Sequence, residues 1–288
     1  MQNGLVSILI ANFNKERYLV ETLRSILDQE YQLWECIIVD DRSTDNSMQI
    51  LLEFARMDAR FKVIERASDI PKGANFCRNH AFSLCQGEFI QWFDSDDIMY
   101  PWFLKDKVRY LQSHPETAYV ISRGEIKFEP GFEGNTKFAQ TIESPNPIED
   151  YLKFRLSFLI AGPLVRRFVF DEIGLYNPKL RRHQEWELFF RMVLFQSNWG
   201  IVDTSGFRYQ VNNNSITSRF QEKRRVVESE LILFLEILGL PDRDSHHSIP
   251  NSERRRLAFK YLMVASYHRR LAFSYRYFLQ LCQELLRF

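Results

Sequence analysis

Asp94-Ser95-Asp96-Asp97 puts three carboxylates within four residues, directly behind the apolar run Glu88 to Phe93. Like charges held so close repel one another and raise their pKa values unless a cation or water relieves them. Hard divalent cations such as Mg²⁺ or Mn²⁺ take oxygen ligands, often one or two carboxylates plus substrate phosphates. The cluster could therefore hold a metal that bridges to a diphosphate. It could equally be an acidic turn that caps the helix behind Pro101. A second acidic pair, Asp40-Asp41, ends the run Glu35 to Val39. One of these carboxylates could accept the imide N–H of a uracil or thymine base. The competing role is helix capping together with Asp45.

Other reactive residue types carry less. His183 reads as a surface histidine at a helix start, and His246-His247 as a solvated pair in a linker. Trp186 could form part of an acceptor wall, although such a position on a helix face commonly belongs to the core. Cys36, Cys77, Cys85 and Cys282 fit neither a CxxC pair nor a zinc pattern. The sequence has no Walker motif, no GxGxxG behind a strand, no HExxH and no serine-hydrolase elbow.

The acidic clusters need elements to position them. Leu5 to Ala11 is a nearly continuous apolar run, as suits a strand covered on both faces. Leu19, Leu23, Ile26 and Leu27 recur at helical spacing within Lys15 to Gln29. Strands at Glu35 to Val39, Phe61 to Glu65 and Glu88 to Phe93 alternate with helices behind Ser43-Thr44-Asp45, over Gly73 to Cys85, and from Pro101. Gly87 reads as the residue just past the third helix. Such alternation predicts a mostly parallel sheet flanked by helices. Ligands of such sheets sit outside the carboxyl ends of the strands, where Asn12 to Asn14 and both acidic clusters fall. Further on, Glu125 to Asn146 reads as loop with an edge strand, residues 183–195 as helix and Gly206 to Val211 as strand. From about Gln221 the pattern is helical, with a linker over Gly239 to Asn251.

The bulk composition is that of an ordinary globular chain. It has 288 residues, 45% hydrophobic and 26% charged, with 25 Phe. A net charge of +1 gives no reason to expect a nucleic-acid partner. No signal peptide and no spanning segment are expected, because no apolar run approaches the roughly 18–20 residues a spanning helix needs. The expected location is cytoplasmic, with peripheral contact on the inner face of the cell membrane as an option.

Four ordered stretches carry a resemblance: LVSILIANFN (Leu5 to Asn14), IIVDDRSTD (Ile37 to Asp45), KGANFCRNHA (Lys72 to Ala81) and GEFIQWFDSDDIMYP (Gly87 to Pro101). Together they resemble the inverting glycosyltransferases of family 2, which have the GT-A fold. Weaker similarity continues through Ile160 to Tyr176, His183 to Arg191 and Tyr209 to Thr217. The resemblance implies a Rossmann-like α/β catalytic domain over 1–220, with a nucleotide-sugar half (1–110) and an acceptor half (111–220). A C-terminal helical extension over 221–288 would follow.

The resemblance also implies site roles. Ala11 and Phe13 would line the base pocket, with Asn14 beside them and Phe13 where the family commonly has Tyr. Asp41 would recognise the base of a UDP-sugar. Arg78 and Asn79 match a family Arg-Asn pair on the donor side. Asp94, Ser95 and Asp96 would be the DxD motif, with Asp96 and Asp97 as ligands of a Mn²⁺ or Mg²⁺ ion. Asn212 stands where some members have a metal-binding His. Glu185 would be the general base, in the position of a family Asp. The implied activity is metal-dependent transfer of a sugar, with inversion, to a glycan or lipid-linked acceptor. Two rivals stand beside it: a nucleotidyltransferase, and a non-catalytic protein that binds sugar nucleotides. The tail stands outside the resemblance. From Ser252 to Phe288 it carries eight Lys/Arg against two acids and many aromatic rings. Such a segment can lie at a membrane interface, or it can pack on the catalytic domain or on a second copy to make a homodimer.

Overall fold

The computed structural model describes residues 2–132 and 141–211, together with Glu253 and Arg256. Eight strands form one sheet among these residues, in the order β3-β2-β1-β4-β7-β6-β8-β5. The first part alternates as the sequence predicts. Strand β1 (Gln2–Asn12) leads to helix α1 (Glu16–Leu27), β2 (Trp34–Asp40) to α2 (Ser47–Met57), and β3 (Phe61–Glu65) to α3 (Ala74–Leu84). Strand β4 (Gly87–Asp94) lies beside β1. All pairings among β1 to β4 are parallel.

The apolar runs are continuous because both faces are covered. Along β1, Val6, Ile8 and Ile10 pack with Leu19, Leu23 and Ile26 of α1, while Leu9 joins the opposite core with Cys77 and Ala81 of α3. Gly87 does not close α3, which ends at Cys85 in an extended conformation. It opens β4 instead, where an added Cβ would sit 2.7 Å from the Leu5 carbonyl of β1. Pro101 stands ahead of its helix, because Phe103 N–H donates to the Tyr100 carbonyl in a turn and α4 starts there (Phe103–Ser113).

Beyond β4 the chain departs from simple alternation. A two-residue strand β5 (Ile98–Met99) pairs with the far edge of the sheet. Strand β6 (Tyr119–Phe128) starts earlier than the expected edge strand. Helix α5 (Pro147–Leu152), strand β7 (Pro163–Arg166) and helix α6 (Phe168–Ile173) follow. Strand β7 is antiparallel to both β4 and β6 and so joins the two parts of the sheet. Helix α7 (Gln184–Phe195) matches the predicted span, and β8 (Gly200–Val211) reaches back six residues before the predicted start.

Lys107 of α4 is wholly buried at the junction of these parts. It donates to Gln91 Oε1 of β4 at 2.8 Å and to the Ala161 carbonyl at 2.9 Å. Burial lowers its pKa well below the ordinary lysine value. The linker, and the helical extension apart from Glu253 and Arg256, lie outside the described residues. Those two residues are helical and touch the end of α5: Glu253 pairs with Lys153 at 3.5 Å, and Arg256 donates to the Leu152 carbonyl at 3.3 Å.

Candidate active site

The register of the parallel strands sets the site. Asn12 pairs with Asp40, and Ala11 with Asp94, so the three strand ends lie along one edge. Past the last β pairs the backbone stays tied, with Asp41 N–H donating to the Asn12 carbonyl at 2.8 Å. Asp40 is fully buried and serves this turn. It accepts from Asn12 Nδ2 at 2.7 Å, Ser43 N–H at 2.7 Å and Ser43 Oγ at 2.6 Å. Thus one carboxylate of the pair shapes the turn and the other faces the cavity.

That cavity measures about 780 Å³. Its walls include Ala11, Phe13, Asn14, Asp41, Arg78, Asp94, Ser95, Asp96 and Glu185. Asp41 is already engaged. One of its oxygens pairs with Arg66, and the other accepts from Gly73 N–H at 3.1 Å. Gly73 has φ +144°, a backbone region costly to side chains, and it caps α3 so that its N–H meets this carboxylate. The ammonium of Lys72 lies 4.0 Å from the centre of the Phe13 ring.

At the end of β4, Asp96 pairs with Lys15. Asp97 lies behind the cavity wall, with Oδ1 accepting from Gln210 N–H at 3.0 Å. Its Oδ2 is buried and has no hydrogen-bond partner among the described residues. Burial first, and then the charges of Asp96 and Asp94, push its carboxyl well above the usual carboxylate range. Among the described residues no group of three or more His, Cys, Asp or Glu side chains forms a ready metal cage. A cation that binds through one or two carboxylates and substrate phosphates does not require one. Hard oxygen donors, one of them orphaned, suit such an ion.

Arg78 joins the two sides of the cavity. From α3 it donates to Asp94 Oδ1 at 2.9 Å and to Gln184 Oε1 at 3.1 Å, and it pairs with Glu185 Oε1 at 3.2 Å. Glu185 opens α7 and is partly exposed to the cavity. Asn79 lies elsewhere. Its amide accepts from Tyr176 N–H and donates to the Tyr176 carbonyl, so it fixes the chain behind α6 and is absent from the cavity lining. Asn212 lies outside the described residues. Sequence reasoning passed over Lys15, Lys72 and Arg66. The first two adjoin the motifs already singled out, whereas Arg66, just past β3, carries no motif.

Solved structures share this fold. S. aureus TarS 1–349 in complex with UDP-GlcNAc aligns with a TM-score of 0.69 at 18% identity, covering 97% of this chain and 79% of that one. The chain spans 43% of a longer TarS structure. The likeness gives the fold, the GT-A arrangement.

Sequence comparison gives the family. Residues 7–174 match Glycosyl transferase family 2. EpsH of Bacillus subtilis (strain 168), which carries a glycosyltransferase name, is 34% identical over 243 residues, or 81% of this chain and 68% of EpsH. The Escherichia coli protein WfgD is named UDP-Glc:alpha-D-GlcNAc-diphosphoundecaprenol beta-1,3-glucosyltransferase. It is 39% identical over 98 residues, 34% of this chain and 37% of WfgD. The chain belongs to glycosyl transferase family 2 and is a glycosyltransferase enzyme. Nucleotidyl transfer and non-catalytic binding therefore fall away as rivals. Among the described residues no helix is long and apolar enough to cross a membrane.

Proposed function

We propose that the enzyme transfers a sugar from a UDP-sugar to a hydroxyl of a glycan or lipid-linked acceptor, with inversion at the anomeric carbon. The carrying observation is the single cavity in which Phe13 and Asp41, the Asp94–Asp96 turn and Glu185 meet, spanned by Arg78. The uracil stacks on Phe13 and its imide N–H donates to Asp41. Each carboxylate oxygen accepts more than one hydrogen bond, so the contacts from Arg66 and Gly73 leave capacity.

Glu185 takes the proton of the acceptor hydroxyl as that oxygen attacks the anomeric carbon. The new C–O bond forms as the bond to the diphosphate breaks on the opposite face. The nucleoside diphosphate leaves with the bonding pair, and the proton stays on Glu185. Arg78 holds Glu185 and Asp94 at a fixed separation through this displacement. Asp96, with Asp94 and Asp97 near it, would hold Mn²⁺ or Mg²⁺, which would supply charge neutralisation to the diphosphate.

The names of relatives support the donor class. TarS is solved with UDP-GlcNAc, and the name of WfgD specifies UDP-Glc and a diphosphoundecaprenol-linked acceptor. For the extension at 221–288 we keep packing on the catalytic domain or on a second copy as the favoured reading. The burial of Glu253 against Lys153 supports it. Liposome co-sedimentation separates this from membrane docking. The test of the whole reading is a screen of UDP-, GDP- and dTDP-sugars by thermal shift and donor hydrolysis, with and without EDTA. UDP-sugars should stabilise and be slowly hydrolysed only with a divalent cation. Hydrolysis of GDP-sugars alone would overturn the base assignment, and full activity in EDTA would overturn the metal.

A further inference from the structure

Lys15 stands where a helix disfavours it. It is the N-cap of α1, a position that suits Ser, Thr, Asp or Asn, and its side chain makes no capping hydrogen bond. The helix dipole also opposes a positive charge at this end. Neighbours do the capping. Lys15 N–H donates to Ser47 Oγ at 2.9 Å, and Glu16 N–H donates to Asp45 Oδ2 at 3.1 Å. Local rules are broken mostly at functional positions.

The side chain turns into the cavity instead. Its ammonium pairs with Asp96 and lies 5.6 Å from the centre of the Tyr18 ring. Tyr18 is itself anchored, its hydroxyl donating to Glu129 Oε1 at 2.6 Å. The root of the stem is fixed by the Ser47 contact and by Asn14 before it, which is left-handed at φ 51°. Lys15 is thus aimed at Asp96 from a fixed start, with 22% of its side chain still exposed.

The three carboxylates of the turn have different partners. Asp94 is held by Arg78, which is buried and also bonded to Gln184. Asp97 is buried and accepts from a backbone N–H of β8. Asp96, the carboxylate assigned to the metal above, is the one held by a lysine. A buried guanidinium tied on two sides of the cavity stays where it is. An ammonium on a flexible four-carbon stem changes partner by rotating its own torsions. A dication on Asp96 repels an ammonium beside the same carboxylate. Displaced by a bare dication, Lys15 loses an ion pair and gains none. Displaced by a dication together with a diphosphate, it meets phosphate oxygens in the same cavity.

We propose that Lys15 is the resident counter-ion of Asp96, yielding that carboxylate to the metal and taking the donor's diphosphate in exchange. This rests on Asp96 being the metal ligand of the proposed transfer. Lys15 then makes the two ligands interdependent. The free enzyme holds the metal weakly, the nucleoside diphosphate tightens it, and by linkage the metal tightens the nucleotide by the same factor.

The test compares the full-length wild type, Lys15→Met and Lys15→Arg by calorimetry and by the electron paramagnetic resonance signal of Mn²⁺. The probes are Mn²⁺ alone, uridine alone, and UDP with saturating Mn²⁺. Methionine keeps most of the stem and removes the charge. Mn²⁺ alone should bind Lys15→Met about 10-fold more tightly than wild type, the size of one charge-assisted contact no longer competing. UDP with Mn²⁺ should bind it about 10-fold more weakly. Uridine, which has no phosphate, should bind both proteins alike. Lys15→Arg keeps the charge and should stay near wild type with every probe. Should Lys15→Met not fold, Lys15→Gln removes the same charge and should move both affinities in the same directions. Equal Mn²⁺ affinity of the two free proteins overturns the exchange, as does equal UDP affinity or an equal loss for uridine and UDP. Wild type that binds UDP without ever binding Mn²⁺ is a different outcome, and strikes the metal reading beneath the proposal.

Discussion

Around Asp40 and Asp41, side chain and backbone are tied together before any ligand arrives. Asn12, Ser43, Arg66 and Gly73 each hold a carboxylate oxygen in place, at the ends of three paired parallel strands. Around Trp186 the chain is held instead by short helices and stacked rings, and the Trp186 and Tyr151 donors have no partner among the described residues. The contrast fits what each side would recognise in the transfer proposed above. In the proposed transfer the nucleotide diphosphate is the same at every turnover, and an edge whose carboxylates are already held in place suits it. Acceptors are varied, and the variable part of the cavity is built from connections that tolerate change.

Mutations can break this contrast, and the largest effect is expected where the two sides touch. Glu185→Gln keeps the shape and removes the basicity. Turnover should fall by roughly 10²–10⁴, while UDP affinity measured by calorimetry stays at the wild-type value. If turnover stays at the wild-type rate, the base lies elsewhere. Asp96→Asn should follow, with a loss of roughly 10²–10³ in turnover, the range seen when one charge-stabilising group is removed. It should also abolish the Mn²⁺-dependent part of the thermal shift with UDP.

Asp41→Ala tests the nucleotide end. UDP should bind about 10- to 100-fold more weakly, the size of a charge-assisted hydrogen bond, and discrimination between UDP and GDP should shrink. Unchanged UDP affinity would leave Asp41 as a partner of Arg66 alone. The smallest effect belongs to Lys107, which bridges the two parts of the sheet. Lys107→Met should cost about 1–3 kcal/mol by orphaning Gln91 Oε1. Its pH dependence has a definite sign. The folded-state pKa is lowered, so between that value and the ordinary lysine value of about 10.4 the unfolded chain binds the extra proton. Stability from this group therefore rises with pH across that window. Urea unfolding should show wild type pulling ahead of Lys107→Met as pH rises toward 10.

The same contrast governs how much could be read from the sequence. Strands β1, β2 and β4 announce themselves because each is an apolar run closed by polar residues at the carboxyl edge of the sheet. Asp41, Asp94 and Asp96 were legible as cavity residues because they stand where strands end. Strand β7 was missed: it has four residues, begins with Pro163, and takes its partners from distant β4 and β6. Nothing local specifies such pairings. Asn79 was misplaced for a related reason. It lies one residue from Arg78 on a helix, and adjacent helical positions face different ways. Arg66 was invisible because its partner, Asp41, is 25 residues away.

Strand β7 also has a consequence for the chain as it is made. Strands β1 to β4 can pair as soon as Asp94 has emerged, since their crossovers are local. One edge of β4 then has to wait for Pro163–Arg166. At the usual rates of synthesis that interval is roughly 4 to 14 s. Until then the nascent sheet presents a row of free N–H and C=O groups beside Phe89 and Ile90, a template for pairing with another chain. Arrival of β7 covers it, and Arg166 clamps the closure through Glu88 at 2.8 Å and the Leu111 carbonyl at 2.7 Å. Weakening that clamp should lower soluble yield on expression more than it lowers the activity of the protein that escapes.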